Sequence, residues 1–170
     1  ARVPTKISDV IGGIGYGGNK VTASPGGPDD ALGDAVAIGD IDGDGFDDLV
    51  AGTPFDDNLG NAGGAVYAYY GSVSGFTREE RILPPDQAGR WFGKSVALID
   101  VDSDGDQDLA VGRNEPSADA SFSVCEASAA GLDVACVLWT LAGQRHDQVA
   151  VADAGDVDGD GFNDLVVSAH

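Results

Sequence analysis

Apolar and polar positions come in short bursts along this chain. Three apolar-rich runs, Leu32–Gly39, Phe92–Ile99 and Gln148–Gly155, are each followed by a nine-residue stretch rich in aspartate and glycine. A second apolar run follows each time: Leu49–Pro54, Leu109–Asn114 and Leu165–His170. Short runs rich in Val, Ile, Leu and Ala, bounded by turn residues, predict strands. Each acidic stretch therefore joins two antiparallel strands. A third strand is predicted at Ala65–Tyr70. The segment Gly71–Gly75 turns the chain, and Thr77–Leu83 returns as a fourth strand. The second copy follows the same plan: Phe122–Glu126 as strand three, Ala127–Gly131 as the turn, and Val134–Trp139 as strand four. Near the start, Asn19–Ser24 reads as the fourth strand of a preceding unit and Ile7–Ile14 as its third.

The copies recur at 100 − 40 = 60 and 156 − 100 = 56 residues, a repeat architecture. Four antiparallel strands per repeat, arranged radially, are the plan of a β-propeller blade. The fold class expected is all-β: four-stranded antiparallel blades with a loop between strands one and two, forming a partial propeller. The expected divisions are 1–31 as the end of a preceding blade, 32–91 and 92–147 as blades, and 148–170 as the first half of a further one.

The nine-residue stretches carry the chemistry. They read Asp40-Ile-Asp-Gly-Asp-Gly-Phe-Asp-Asp48, Asp100-Val-Asp-Ser-Asp-Gly-Asp-Gln-Asp108 and Asp156-Val-Asp-Gly-Asp-Gly-Phe-Asn-Asp164. Aspartates stand at positions 1, 3, 5 and 9, and glycine at position 6 permits a sharp turn. Carboxylates crowded on one loop repel strongly unless a hard cation sits among them. The predicted ligands are Asp40, Asp42, Asp44 and Asp48 with the Phe46 carbonyl. The second set is Asp100, Asp102, Asp104 and Asp108 with the Asp106 carbonyl. The third is Asp156, Asp158, Asp160 and Asp164 with the Phe162 carbonyl. Three calcium ions are implied, each clamping strands one and two of its repeat. Magnesium is disfavoured because it demands a small octahedron and keeps its waters. An EF-hand would need a bidentate acid at position 12 and flanking helices. Position 12 is Ala51, Val111 or Val167, and the flanks are strand-like.

Composition narrows the partners. The chain has 170 residues, 42% of them hydrophobic, and a net charge of −20. That is enough for one domain with a core. The acidic balance argues against nucleic acid and anionic membrane surfaces. Its concentration in the loops, between apolar runs, argues against disorder. Three calcium ions, about +6, would leave roughly −14. No stretch of 18 apolar residues occurs, so membrane insertion is not expected. The absence of methionine and the start at Ala1 suggest a processed product or a piece of a longer protein. Cys125 and Cys136 fall on neighbouring predicted strands. A bridge between them and two free thiols stay equally open, because strand geometry decides.

The Leu/Phe-Gly pairs at Leu32-Gly33 and Phe92-Gly93, the acidic loops and the Val-Ala-Gly-Thr-Pro ending at residues 50–54 together resemble the FG-GAP repeat. That is the repeat of the integrin α-subunit N-terminal propeller and of many bacterial extracellular proteins. The resemblance spans about residues 32–170. Copy two departs from it by ending Val-Gly-Arg-Asn, and copy three lacks the Phe-Gly pair. Neither loses a loop aspartate. The resemblance implies a propeller of roughly seven blades, more than this chain can form. It implies a calcium-binding, secreted, extracellular, cell-surface or periplasmic module for adhesion or for binding a protein or glycan ligand. The missing blades are further partners. Two other readings stand beside it: an assembly piece whose open blades pair with another chain or copy, and an accessory domain of a polysaccharide-active enzyme.

The remaining motifs are bland. Gly13–Gly18 matches G-x-G-x-x-G but no helix pattern follows, so it reads as a glycine-rich turn. His146 and His170 lack a catalytic context, and no catalytic residue is assigned. Trp91, Trp139, Tyr67, Tyr69 and Tyr70 could line a ligand surface, but their alternation fits core packing better.

Overall fold

The computed structural model describes residues 14–16, 19–21, 30–57, 63–86, 90–114, 119–143 and 148–169. Among them every regular element is a strand. Strands β1 (Ile14–Tyr16) and β2 (Asn19–Val21) form a short hairpin. Strands β3 (Val36–Gly39), β4 (Asp48–Thr53), β5 (Ala65–Tyr70) and β6 (Arg78–Ile82) form an antiparallel sheet in sequence order. Strands β7 (Arg90–Ile99), β8 (Asp108–Asn114), β9 (Ser121–Cys125) and β10 (Val137–Thr140) repeat that order. Strands β11 (Val149–Gly155) and β12 (Asp164–Ala169) pair as the first two strands of a third copy. These are the four-stranded open sheets expected of partial propeller blades.

Period-2 alternation gives each sheet two apolar faces. Val66, Ala68 and Tyr70 of β5 point into a core shared with Phe92, Leu98, Leu109 and Val111 of the second sheet. Their neighbours Ala65, Tyr67 and Tyr69 point the other way, against Leu32, Phe76 and Leu83. The second sheet does the same, with Ala97, Ile99, Ala110 and Phe122 meeting Val149 and Val151. The sheets therefore stack face to face. The three tyrosines are core residues, as their alternation predicts. Trp139 is not: it stacks on Phe122 but is 55% exposed.

The Gly of the first two ending runs explains part of the repeat motif. A Cβ at Gly52 would collide with the Gly93 carbonyl, and one at Gly112 with the Val149 carbonyl. Gly93 and Val149 occupy equivalent positions in consecutive copies, 56 residues apart like Asp100 and Asp156. Backbone thus packs directly on backbone between successive sheets, which only glycine allows. Copy three can lack its Phe-Gly pair because the contact is made by a main-chain oxygen.

Several boundaries differ from the sequence reading. The first strand of copy one begins at Val36, because residues 31–35 form a turn with Ala31 and Gly33 at positive φ. The fourth strand of copy two begins at Val137, because residues 133–136 turn first, with Asp133 accepting from the Ala135 N–H. The expected strand Ile7–Ile14 lies outside the described residues except for Ile14, which starts β1. The glycine-rich turn at 13–18 is narrower than expected: Ile14–Tyr16 is a strand. The open question of the cysteines is settled by register. Val137 pairs with Val124, setting Cys136 opposite Cys125, and the two form a disulfide.

Candidate metal centres

The three acidic loops occupy equivalent places: 40–48 joins β3 to β4, 100–108 joins β7 to β8, and 156–164 joins β11 to β12. Position 9 is the first residue of the second strand each time, so its side chain is fixed by the sheet. One carboxylate oxygen from each of Asp40, Asp42 and Asp48 lies within 4.8 Å of the other two. The same holds for Asp100, Asp102 and Asp108, and for Asp156, Asp158 and Asp164.

Backbone N–H groups hold these carboxylates in place. The position-1 aspartates accept from the amides of positions 5 and 6. Asp44 N and Gly45 N donate to Asp40 at 3.1 and 2.8 Å. Asp104 N and Gly105 N donate to Asp100 at 3.1 and 3.2 Å. Asp160 N and Gly161 N donate to Asp156 at 3.1 and 3.0 Å. Position 9 accepts from the amide of position 2: Ile41 to Asp48, Val101 to Asp108 and Val157 to Asp164, at 2.9, 2.9 and 2.8 Å. In the first two copies the other oxygen of position 9 takes a second amide from the end of strand three. Gly71 donates to Asp48 at 2.6 Å and Ala127 to Asp108 at 2.7 Å. Sequence reading missed these two donors, because they lie 23 and 19 residues from their acceptors.

Position 5 is placed differently. Asp44, Asp104 and Asp160 each accept from the amide two residues on, at 2.9 Å, and stand outside the triads. The position-7 side chains of Phe46 and Phe162 are 39% and 49% exposed.

The electrostatics call for a counter-charge. Burial pushes the Asp48 carboxyl above its ordinary range. The amides of Gly71 and Ile41 pull it down, and the charges of Asp42 and Asp40 push it up again. Asp108 is raised in the same way by burial, against the amides of Ala127 and Val101, with Asp102 and Asp104 adding to the rise. The four ion pairs among the described residues, Arg78–Glu80, Arg81–Asp56, Lys94–Asp34 and Arg113–Asp86, do not reach the loops. Asp42 Oδ1 is buried with no hydrogen-bond partner. Hard oxygen donors, net negative charge and an orphaned carboxylate oxygen fit a hard divalent cation.

The sequence is similar to known proteins. The FG-GAP repeat family matches residues 32–69 and 92–120. Integrin alpha-V of Gallus gallus is 33% identical over 155 residues, covering 83% of this chain and 14% of that protein. Integrin alpha pat-2 of Caenorhabditis elegans is 30% identical over 169 residues, covering 82% of this chain and 13% of its own length. Integrin alpha-3 of Cricetulus griseus is 30% identical over 128 residues, 71% of this chain and 12% of its own length. The chain thus spans only about an eighth of the curated relatives it matches. With its stacked sheets, repeated acidic loops and these matches, the chain belongs to the FG-GAP repeat family, in an integrin α-like form.

Proposed function

We propose that this chain is a calcium-stabilised segment of an extracellular FG-GAP β-propeller that serves adhesion or ligand binding. The observation that carries the calcium reading is the triad of converging carboxylates, repeated in three equivalent loops with one hydrogen-bond scheme. Asp40, Asp42 and Asp48, with their counterparts at 100, 102, 108 and 156, 158, 164, would hold one calcium each. Asp44, Asp104, Asp160 and the carbonyls of Phe46, Asp106 and Phe162 would complete the shells. The ion supplies charge neutralisation and a fixed angle between strands one and two. Calcium binding would then stabilise the fold by mass action. The residue divisions 32–91, 92–147 and 148–170 as successive blades belong to this proposal.

Adhesion or ligand binding, in preference to catalysis, is favoured by the similarity to integrin α subunits. The Cys125–Cys136 disulfide favours an oxidising compartment, outside the cell or at its surface. Among the described residues no helix is long and apolar enough to cross a membrane. The ligand class would be a protein or a glycan. Binding of the chain to arrays of purified extracellular proteins and glycans, in calcium and in chelator, tests this. Calcium-dependent capture of a defined ligand is expected. Turnover of a glycan instead of binding would overturn it.

A second reading has its own observation. An apolar groove lined by Val101, Phe122, Val124, Val137, Trp139 and Leu165 opens beside β10. Val36 and Ile38 of β3 are also exposed, at 53% and 68%. Such faces fit burial against further blades, of the same chain or of another. Mass measurement in solution separates the cases: a strictly monomeric chain with a closed fold would sink assembly between copies.

A further inference from the structure

The three loops are not independent. Position 4 of the first and of the second loop receives the following loop. Ser103, at position 4 of the second, donates to the Gly161 carbonyl at 3.1 Å. Gly43, at position 4 of the first, lies against the Asp106 carboxylate so closely that a Cβ there would collide with Asp106 Oδ1. The Gln107 N–H locks this contact by donating to the Asp40 carbonyl at 3.2 Å. Both junctions set position 4 against the following loop, but through different contacts. In the second junction the residue at position 7 is Phe162, which carries no charge. In the first it is Asp106.

We propose that the side chain of Asp106, a residue of the second loop, adds its negative charge to the cation site of the first loop. The proposal rests on the calcium reading above. Gly43 sits between Asp42 and Asp44, so a carboxylate packed on it stands beside the first loop's ligands. A cation held by Asp40 and Asp42 would therefore lie near a carboxylate of the second loop as well. The second loop receives no such acid from the third, where Ser103 meets a backbone carbonyl. Asp106 has two separable parts in this account. Its main-chain carbonyl serves its own loop, while its carboxylate serves the neighbour.

The position-6 glycine amides offer a separate reporter for each site. Gly45, Gly105 and Gly161 each donate to the position-1 carboxylate of their own loop. A cation on that carboxylate polarises the bond and moves the amide resonance. Calcium alone is titrated into the full chain, and the three glycine amides are followed by NMR. Asp106→Asn is expected to raise the calcium midpoint at Gly45 by about three- to tenfold, the effect of removing one charge several ångström from a divalent ion in a solvated loop. The Gly161 midpoint is expected to stay within about twofold. Asp106→Glu, which keeps the charge, restores the Gly45 midpoint, and Asp106→Phe, the residue of the other loops, does not. The shift at Gly45 is expected to persist when Asp100→Asn and Asp102→Asn disable the second site. A Gly45 midpoint that ignores Asp106→Asn while Gly105 responds would overturn the inference and leave the calcium reading standing. Glycine amides that ignore calcium altogether would overturn both.

Discussion

The second and third acidic loops carry the same pattern but hold their position-9 aspartates differently. In the second, Asp108 is buried, 2% exposed, and takes one amide from its own loop and another from Ala127 beyond strand three. In the third, Asp164 is half-buried and takes only the Val157 amide among the described residues. The second loop belongs to a four-stranded sheet, the third to a two-stranded one. In the first two copies the sheet therefore helps to seat the acidic loop. The nine residues set the donors, while the third strand supplies the donor that seats position 9.

The largest way to break this comparison is to remove position 9. Asp108→Ala leaves the half-buried amides of Val101 and Ala127 without their acceptor and should cost about 3–5 kcal/mol. Asp164→Ala, with one amide to lose, should cost about 1 kcal/mol. Urea unfolding of both variants reads the difference. Equal losses would show that strand three adds nothing. Next is the contact that stacks the sheets. Gly112→Ala forces a methyl group onto the Val149 carbonyl, at about 3 kcal/mol, by overpacking against backbone that cannot rotate away. It should detach β11 and β12 first, so hydrogen exchange should rise in them before it rises in β8.

Reduction of the disulfide sharpens the comparison between the first two loops. The bridge spans a sequence separation of 11 residues and lies two residues from Ala127. Its loss should cost about 2.5 kcal/mol through the freed unfolded chain. It should also loosen calcium at the second loop more than at the first, which has no bridge. Titration before and after reduction checks this. The smallest effect is that of pH. The Asp48 and Asp108 carboxyls are raised in the fold, so the folded chain holds those protons more tightly than the unfolded chain. Their stabilising protonation is present at low pH and is lost as pH rises through the folded values. In chelator, melting should therefore rise as pH falls toward the carboxylate range, and in calcium it should fall as protons compete for the ligands. A chelated protein that melts lower at the acid end would contradict the assignment.

Much of the fold was legible because its signals are local. Short apolar runs bounded by turn residues marked β4, β5, β8 and β9, and the Asp-x-Asp-x-Asp-Gly spacing marked the loops. What was not legible depends on residues far apart. Gly71 and Ala127 look like ordinary turn residues until the sheet brings their amides to Asp48 and Asp108. Gly52 reads as a motif letter until Gly93 is seen lying on it. The cysteines could not be paired from spacing, because the Val124–Val137 register decides their approach. Trp139 looked like core from its alternation, but β10 is the outer strand and leaves it half in solvent. Asp106 was assigned for its carbonyl, and only the packing of one loop on the next shows where its carboxylate goes.

The most direct test of the calcium clamp is thermal unfolding of the chain in millimolar calcium, in magnesium and in chelator. Three sites that bind only the folded state predict a calcium melting point at least about 10 °C above that in chelator, with magnesium close to chelator. Coincident curves in calcium and chelator would contradict the account.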